Sequence, residues 1–329
     1  MKEDSSTNNI PGWNYIPKVP ILVSPFFTWP INPKRMINWL ISQWVPLSEN
    51  LILLFLVLIS WGWLQPSLED TRIIQVEWVM KIWLRNLALM ILVAGSLHWF
   101  FYSKKKQGNV YRYDKRDRIQ NGPRFIFKKQ LYDNIFWSLL SGVGFWTAYE
   151  VLMFWLMSND LIPVMIINES PILFVLWFFL TPIWISFHFY WIHRFLHWGP
   201  MYKWFHEVHH RNINIGPWSG LSMHPGEHLI YFTSILIHLI FMAHPLHILF
   251  HMQSQTLTAA SSHTGYAGLL IKDKNCLKLG TFHHQMHHRY FEINYGSLEI
   301  PWDKWFGTFH NGTFKKHQEL KSRHRSYPQ

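Results

Sequence analysis

His193-Arg194-Phe195-Leu196-His197, His206-Glu207-Val208-His209-His210, His224-Pro225-Gly226-Glu227-His228, His263 and His283-His284-Gln285-Met286-His287-His288 follow one another along a single stretch, 193–288. Their repeated offsets are three and four residues, which on a helix put the imidazoles on one face. Neutral imidazole is a donor that suits iron, zinc, copper and nickel. One ion takes about four to six ligands, so roughly ten clustered histidines are most simply read as serving two metals. Carboxylates are nearly absent from the motifs, unlike the Glu and Glu-x-x-His sites of ferritin-like bundles.

Working outward, the chain around this stretch is apolar and aromatic. Of its 329 residues 49% are hydrophobic and 18% aromatic, against 15% charged, and it carries 20 Trp and 25 Phe. That balance is poor in charge for a soluble domain and rich in rings that favour membrane interfaces. The one cysteine, Cys276, excludes an intramolecular disulfide and a CxxC zinc site. The polar N-terminus has no apolar core of a signal peptide. The net charge of +11 comes largely from an internal loop and the tail. It fits a surface facing anionic lipid, and no aromatic-basic nucleic-acid motif accompanies it.

Residues 1–50, broken by Pro11, Pro17, Pro20, Pro25, Pro30 and Pro33, read as an irregular arm with a short interfacial helix near Ile37–Trp44. Apolar runs follow at 50–64, 84–102, 135–157 and 171–192, the first slightly short for a span unless Pro46 and its flank contribute. Pro182 predicts a kink in the fourth. Residues 229–250 are apolar but interrupted by His238, His244, Pro245 and His247, which suits either a fifth span or a re-entrant hairpin. The segment 51–170 therefore reads as transmembrane helices with a basic loop, 171–310 as the catalytic domain, and 311–329 as a basic, loosely ordered tail.

Loop 103–130 holds Lys104, Lys105, Lys106, Arg112, Lys115, Arg116, Arg118, Arg124, Lys128 and Lys129 against Asp114 and Asp117. The loops at 65–80 and 158–170 instead hold Glu69, Asp70, Glu77, Asp160 and Glu169 against Arg72. The positive-inside rule then puts the N-terminus, the basic loop and the histidines on the cytoplasmic side. The expected fold is an all-α integral membrane protein: about four transmembrane helices and a cytoplasmic histidine-rich helical cap holding a dimetal site.

Within the cluster the candidate ligands are His193, His197, His206, His209, His210, His224, His263, His284, His287 and His288. His284 is preferred to His283 because it repeats the i, i+3, i+4 spacing of the 206–210 set. Glu227, His228 and His283 are candidates for groups that orient the ligands from behind. His188 is left out. His98, His238, His244, His247, His251, His310, His317 and His324 read as structural. An all-imidazole pair of redox-active metals beside a bilayer suits oxygen activation and hydrogen abstraction from an unactivated C–H bond of a lipid. A rival reading takes His206-Glu207-x-x-His210 as a zinc protease signature with Glu207 as general base. It leaves His209 and the other sets without a role. A haem-binding electron carrier would need axial histidines deep in two facing spans, whereas these bunch after the spans.

The sets 193–197, 206–210 and 284–288 resemble the three histidine boxes of the fatty acid hydroxylase/sterol desaturase superfamily. His224-Pro225-Gly226-Glu227, His263-Thr264-Gly265-Tyr266, Tyr290-Phe291-Glu292-Ile293-Asn294-Tyr295-Gly296 and Trp302-Asp303 through Gly307-Thr308 resemble its intervening and closing elements. The resemblance covers roughly 178–310. It implies a membrane oxidoreductase with two iron ions and O2 as co-substrate, hydroxylating or desaturating a lipid. It also implies a separate electron donor, such as cytochrome b5 or ferredoxin with its reductase. The Tyr-Phe-x-x-Asn-Tyr-Gly run is most similar to sterol C-5 desaturases, so a sterol is the expected substrate. Fatty acid and alkylglycerol (ether lipid) hydroxylases of the same superfamily are the alternative. The membrane would be the endoplasmic reticulum in a eukaryote or the inner membrane in a bacterium. In one departure, Ser186 stands where many members carry an Asp, seven residues before the first box.

Overall fold

The computed structural model describes residues 10–45 and 47–326, the side chains from 323 onward excepted. The expectations placed on residues 1–9, on Pro46 and on 327–329, and the side-chain role given to His324, lie outside the described residues. Among the described residues, three helices are long and apolar enough to cross a membrane: α3 (Val76–Ser103), α4 (Gln130–Ser158) and α5 (Pro171–Leu196). At 1.5 Å per residue each exceeds the roughly 30 Å of a hydrocarbon core. Helices α1 (Pro33–Trp44) and α2 (Glu49–Leu64), bent by 46°, meet the same test together and would make a fourth. The runs at 84–102 and 135–157 are thus parts of longer helices. Both of those, and α2, contain π-helical turns, at 60–64, 91–95, 99–103 and 137–142.

Helix α5 starts on Pro171 at its first position, where the missing N–H costs nothing, and runs through Pro182 as one helix. Ile172, Val175, Phe179, Ile183, Phe187 and Trp191 recur every three or four residues on its exposed side. This is the apolar face expected of a helix turned to lipid. Its other face meets a core that includes Val57, Ile82, Met90, Trp146, Phe154 and Phe250, all buried.

The segment 229–250 is a hairpin. Helix α7 (Pro225–Tyr231) continues as a 3-10 helix (Phe232–Leu239), the chain turns at 240–244, and α8 (Pro245–Ser262) returns. The turn lies against the α4–α5 loop, where Met165 N–H donates to the Ala243 carbonyl at 3.1 Å. Helix α8 is almost wholly buried even though it carries His247, His251, Gln253, Ser254, Gln255 and Thr256. Partners include Ser60, to which Gln253 donates at 2.9 Å, and Tyr231, whose hydroxyl donates to the Gln255 carbonyl at 2.8 Å. Buried polar groups need such partners; other helices supply these two, while Gln253 Oε1, Ser254 Oγ and Thr256 Oγ1 have none among the described residues.

A second buried polar contact joins α3 to α4. Arg85 pairs with Glu150, which also accepts from Trp146 Nε1 at 2.7 Å and Asn86 Nδ2 at 3.2 Å.

Beyond α5, the short helical run 199–210 (α6), the start of α7 and the end of α8, α9 (Phe282–Tyr290), α10 (Trp302–Trp305) and α11 (Phe314–Ser326) lie at the histidine end of the bundle. Two features depart from expectation. The chain is not all-α, because Gly268–Ile271 (β1) and Lys274–Lys278 (β2) pair antiparallel. Nor is the described part of the tail loose, because α11 is a helix whose Leu320 packs with Tyr113, Phe282, Met286 and Ile293. The described part of the arm is laced to the same end. Trp13 meets the Phe282 ring edge-on at 4.9 Å, and Ile21 N–H donates to the Asn311 carbonyl.

Candidate metal centre

The ends of the elements converge on the histidines. Helix α5 delivers His193 in its last turn, and Gln130 at the start of α4 donates to Asn212 just after α6. Tyr102 near the end of α3 donates to the Thr264 carbonyl at 2.7 Å. The basic loop lies against this end as well. Tyr113 N–H donates to the Gly265 carbonyl, and the Arg118 guanidinium sits 3.6 Å over the Tyr102 ring.

Nine imidazoles form two adjoining groups. His193, His197, His206, His210 and His287 make one, and His209, His263, His284 and His288 the other. Each helix with a full box is split between them. On α6, His206 and His210 serve the first group and His209 the second; on α9, His284 and His288 serve the second and His287 the first. Residues four apart are about 40° apart around a helix, while the neighbour at i+3 points to the other side of that pair. The i, i+3, i+4 spacing therefore addresses two centres, not one.

Within the groups the ring nitrogens stand close. His197 Nε2 is 3.2 Å from His206 Nε2 and 3.2 Å from His287 Nε2, and His287 Nε2 is 3.1 Å from His210 Nε2. In the second group His263 Nε2 is 3.0 Å from both His288 Nε2 and His284 Nε2. Ligand nitrogens about 2.1 Å from one ion and at right angles stand about 3.0 Å apart, so these spacings fit metal coordination. His193 Nε2, buried and without a hydrogen-bond partner, adds a free lone pair. Burial first, then the neighbouring rings, hold His197, His206, His210, His287 and likewise His209, His284 and His288 far below the ordinary imidazole range. Burial pushes His263 down to about 4. The rings are therefore neutral, the form that binds metal.

Several rings are aimed from behind, with Nδ1–H donating to a fixed acceptor. His193 donates to the Tyr295 carbonyl at 2.6 Å, His287 to Ile293 at 2.7 Å and His263 to Ala259 at 2.7 Å. His206 Nδ1 meets Glu227 Oε1 at 2.7 Å. Such contacts fix ring tautomer and orientation. Glu227 is buried in the first turn of α7, and burial drives its carboxyl well above the usual range. Gly226 beside it lets α7 approach closely, since a Cβ there would lie 2.4 Å from the Phe205 ring.

The remaining predicted residues lie elsewhere. His224 joins neither group; it caps α7, its Nδ1 accepting from Gly226 N–H at 3.1 Å. His228 is in contact with Ser141 at 2.9 Å, and His283 stands 3.7 Å from Asp303. His188 contacts Thr233 at 2.9 Å, outside both groups. Ser186 contacts Ser297 at 2.6 Å, so His193 takes its support from the Tyr295 carbonyl and not from position 186.

The Tyr295 and Ile293 carbonyls and Asp303 had no assigned role in the sequence reading. Asp303 accepts from Tyr295 N–H and Gly296 N–H at 2.8 Å each, and Asn294 at φ 57° donates to the His283 and His310 carbonyls. Asn tolerates that conformation better than most residues. The closing Asn-Tyr-Gly…Trp-Asp signature thus braces the rings, and the motif itself is the sequence signal for it.

Glu207 is directed to Arg211, 3.7 Å away, with a side chain 40% exposed. A cavity of about 300 Å³ lies here, lined by His210, Tyr202, Glu207, Arg211, Arg124 and Phe291 among others. The Phe291 ring lies tilted 4.9 Å from His210 and the residue sits at φ 64°, ψ −50°, in a γ-turn closed by Glu292 N–H donating to the Tyr290 carbonyl. That hand of γ-turn is rare and strained.

Residues 178–308 match the family described as fatty acid hydroxylase. Among curated relatives, a Delta(7)-sterol 5(6)-desaturase of Candida glabrata is 32% identical over 36% of this chain and 31% of its own length. One from Gibberella zeae is 28% identical over 76% of this chain and 66% of its own length, and one from Nicotiana tabacum 24% over 70% and 83%. The first of these matches spans about a third of the relative's length. No solved structure gives a match. Residues 178–308, which carry the boxes and the brace, are similar to the fatty acid hydroxylase family, and these relatives support the fatty acid hydroxylase/sterol desaturase superfamily.

Proposed function

We propose that this chain is a membrane oxidoreductase that desaturates or hydroxylates a lipid, with a sterol as its substrate, at two irons held by the two histidine groups. The observation that carries the proposal is the pair of adjoining groups of imidazoles, nearly all buried, at the end of apolar helices. The relatives named for sterol 5(6)-desaturation support the sterol. Two irons supply reduction of O2 and removal of hydrogen from an unactivated C–H bond, a reaction that side chains alone do not perform. The chain's own residues hold and aim the ligands, keep them unprotonated through burial, and exclude bulk water from the centre. Electrons come from a separate donor, cytochrome b5 or ferredoxin with its reductase. The basic loop, which lies against the histidine end, is its candidate docking face. By the same charge bias that end faces the cytoplasm, of the endoplasmic reticulum in a eukaryotic cell.

Comparing sterol and fatty-lipid profiles of cells with and without the gene tests the substrate. Accumulation of one sterol precursor lacking a double bond or hydroxyl is expected. An unchanged sterol profile with altered fatty acids or ether lipids would overturn the sterol assignment and favour the second reading, a fatty acid or alkylglycerol hydroxylase, which the family description supports. The protease reading has less support, because Glu207 is directed to Arg211 and five imidazoles converge where a zinc protease uses fewer ligands.

A further inference from the structure

A cavity of about 700 Å³ lies away from the histidines, between the N-terminal arm, the first turn of α1 and the segment 304–316. Arg35, Lys304 and Lys316 line it together with Thr28, Trp39 and Leu22, and no carboxylate does so among the described residues. Lys316 is held by Glu319 at 2.7 Å, and Arg35 and Lys304 are exposed. Its remaining lining is largely apolar, with Ile21, Val23, Pro25, Phe309 and Leu22, which is 79% exposed. Exposed apolar side chains continue along α1 at Ile37, Leu40 and Ile41. Helix α1 buries none of its residues, and Trp44 at its end packs on Phe179 of α5 at 5.2 Å. The cavity therefore opens beside an amphipathic helix attached to a lipid-facing span, the position at which such a helix lies in a bilayer interface.

We propose that this cavity binds the phosphate headgroup of an anionic phospholipid, with the acyl chains along the exposed side chains of α1 and the arm. Arg35 and Lys304, exposed to one space that no carboxylate lines among the described residues, call for an anion, with Lys316 beside them already paired to Glu319, and the apolar lining calls for that anion to carry hydrocarbon. A soluble phosphate would meet the first requirement and gain nothing from the second. The proposal rests on the membrane reading of the helices and is independent of the chemistry at the histidines.

Native mass spectrometry of the full chain in neutral detergent, with phosphatidylglycerol or phosphatidylcholine added, tests it. One phosphatidylglycerol per chain is expected to be retained in preference to phosphatidylcholine. Arg35→Gln with Lys304→Gln is expected to weaken retention about fivefold for each charge removed. Glycerol phosphate at the same concentration is expected not to displace the lipid. Equal retention of the two lipids would overturn the proposal, and that comparison needs no variant. Unchanged retention in the double variant, or displacement by glycerol phosphate, would overturn it too.

Discussion

Glu227 and Glu207 divide the chemistry of the two carboxyl groups nearest the boxes. The first is buried against His206 at 2.7 Å and the second half-exposed against Arg211. Removing an outer partner of a metal-binding histidine costs about 10–100-fold in metal affinity. Glu227→Gln is therefore expected to lower iron affinity by that order in a competitive chelator titration, whereas Glu207→Gln leaves it unchanged. The reverse pattern, with Glu207→Gln removing a peptidase activity, would instead support a zinc protease. The same scale shows what single residues conceal. The i, i+3, i+4 spacing identified the ligand-bearing helices but not the division between two groups, because which neighbour faces which centre depends on how α6 and α9 are set against each other. His224 was placed by its motif, yet its ring is used by the backbone of α7.

At the scale of elements, the apolar runs located α2 to α5, and the structure lengthened two of them. The hairpin 225–262 was less legible. Helix α8 is too polar to read as a buried element, and its burial depends on partners such as Ser60 and Tyr231 that are distant in sequence. The β-hairpin and α11 were missed for a similar reason: short or charged segments carry little periodic signal, and packing on the histidine end orders them. The Arg85–Glu150 pair joining α3 and α4 makes a quantitative prediction. Removing one partner of a buried ion pair costs about 3–5 kcal/mol, while replacing both by apolar groups of similar volume is about neutral. Arg85→Met alone should depress thermal stability strongly in detergent, and Arg85→Met with Glu150→Leu should recover most of it. A double variant as unstable as the single would show that the pair is needed for more than charge compensation.

At the scale of the whole molecule, the helix ends form two populations. Glu49, which contacts Ser261, and Tyr102, Gln130 and His193 lie at the histidine end, while the α4–α5 loop meets the turn of the hairpin at the other. The shared packing of Tyr113 and Leu320 ties the basic loop and the C-terminal helix together. Accessibility reporters at residues 115 and 320 are thus expected on one side of the membrane and a reporter at 165 on the other. Labelling of 115 and 320 from opposite sides would contradict both the fold and the charge-based orientation. The most direct measurement of the central claim is the metal content of the purified, iron-reconstituted chain. Two irons per chain are expected, one for each histidine group, falling to about one in His287→Ala and in His284→Ala. A single metal per chain in the unaltered protein, or two irons retained by both variants, would contradict it.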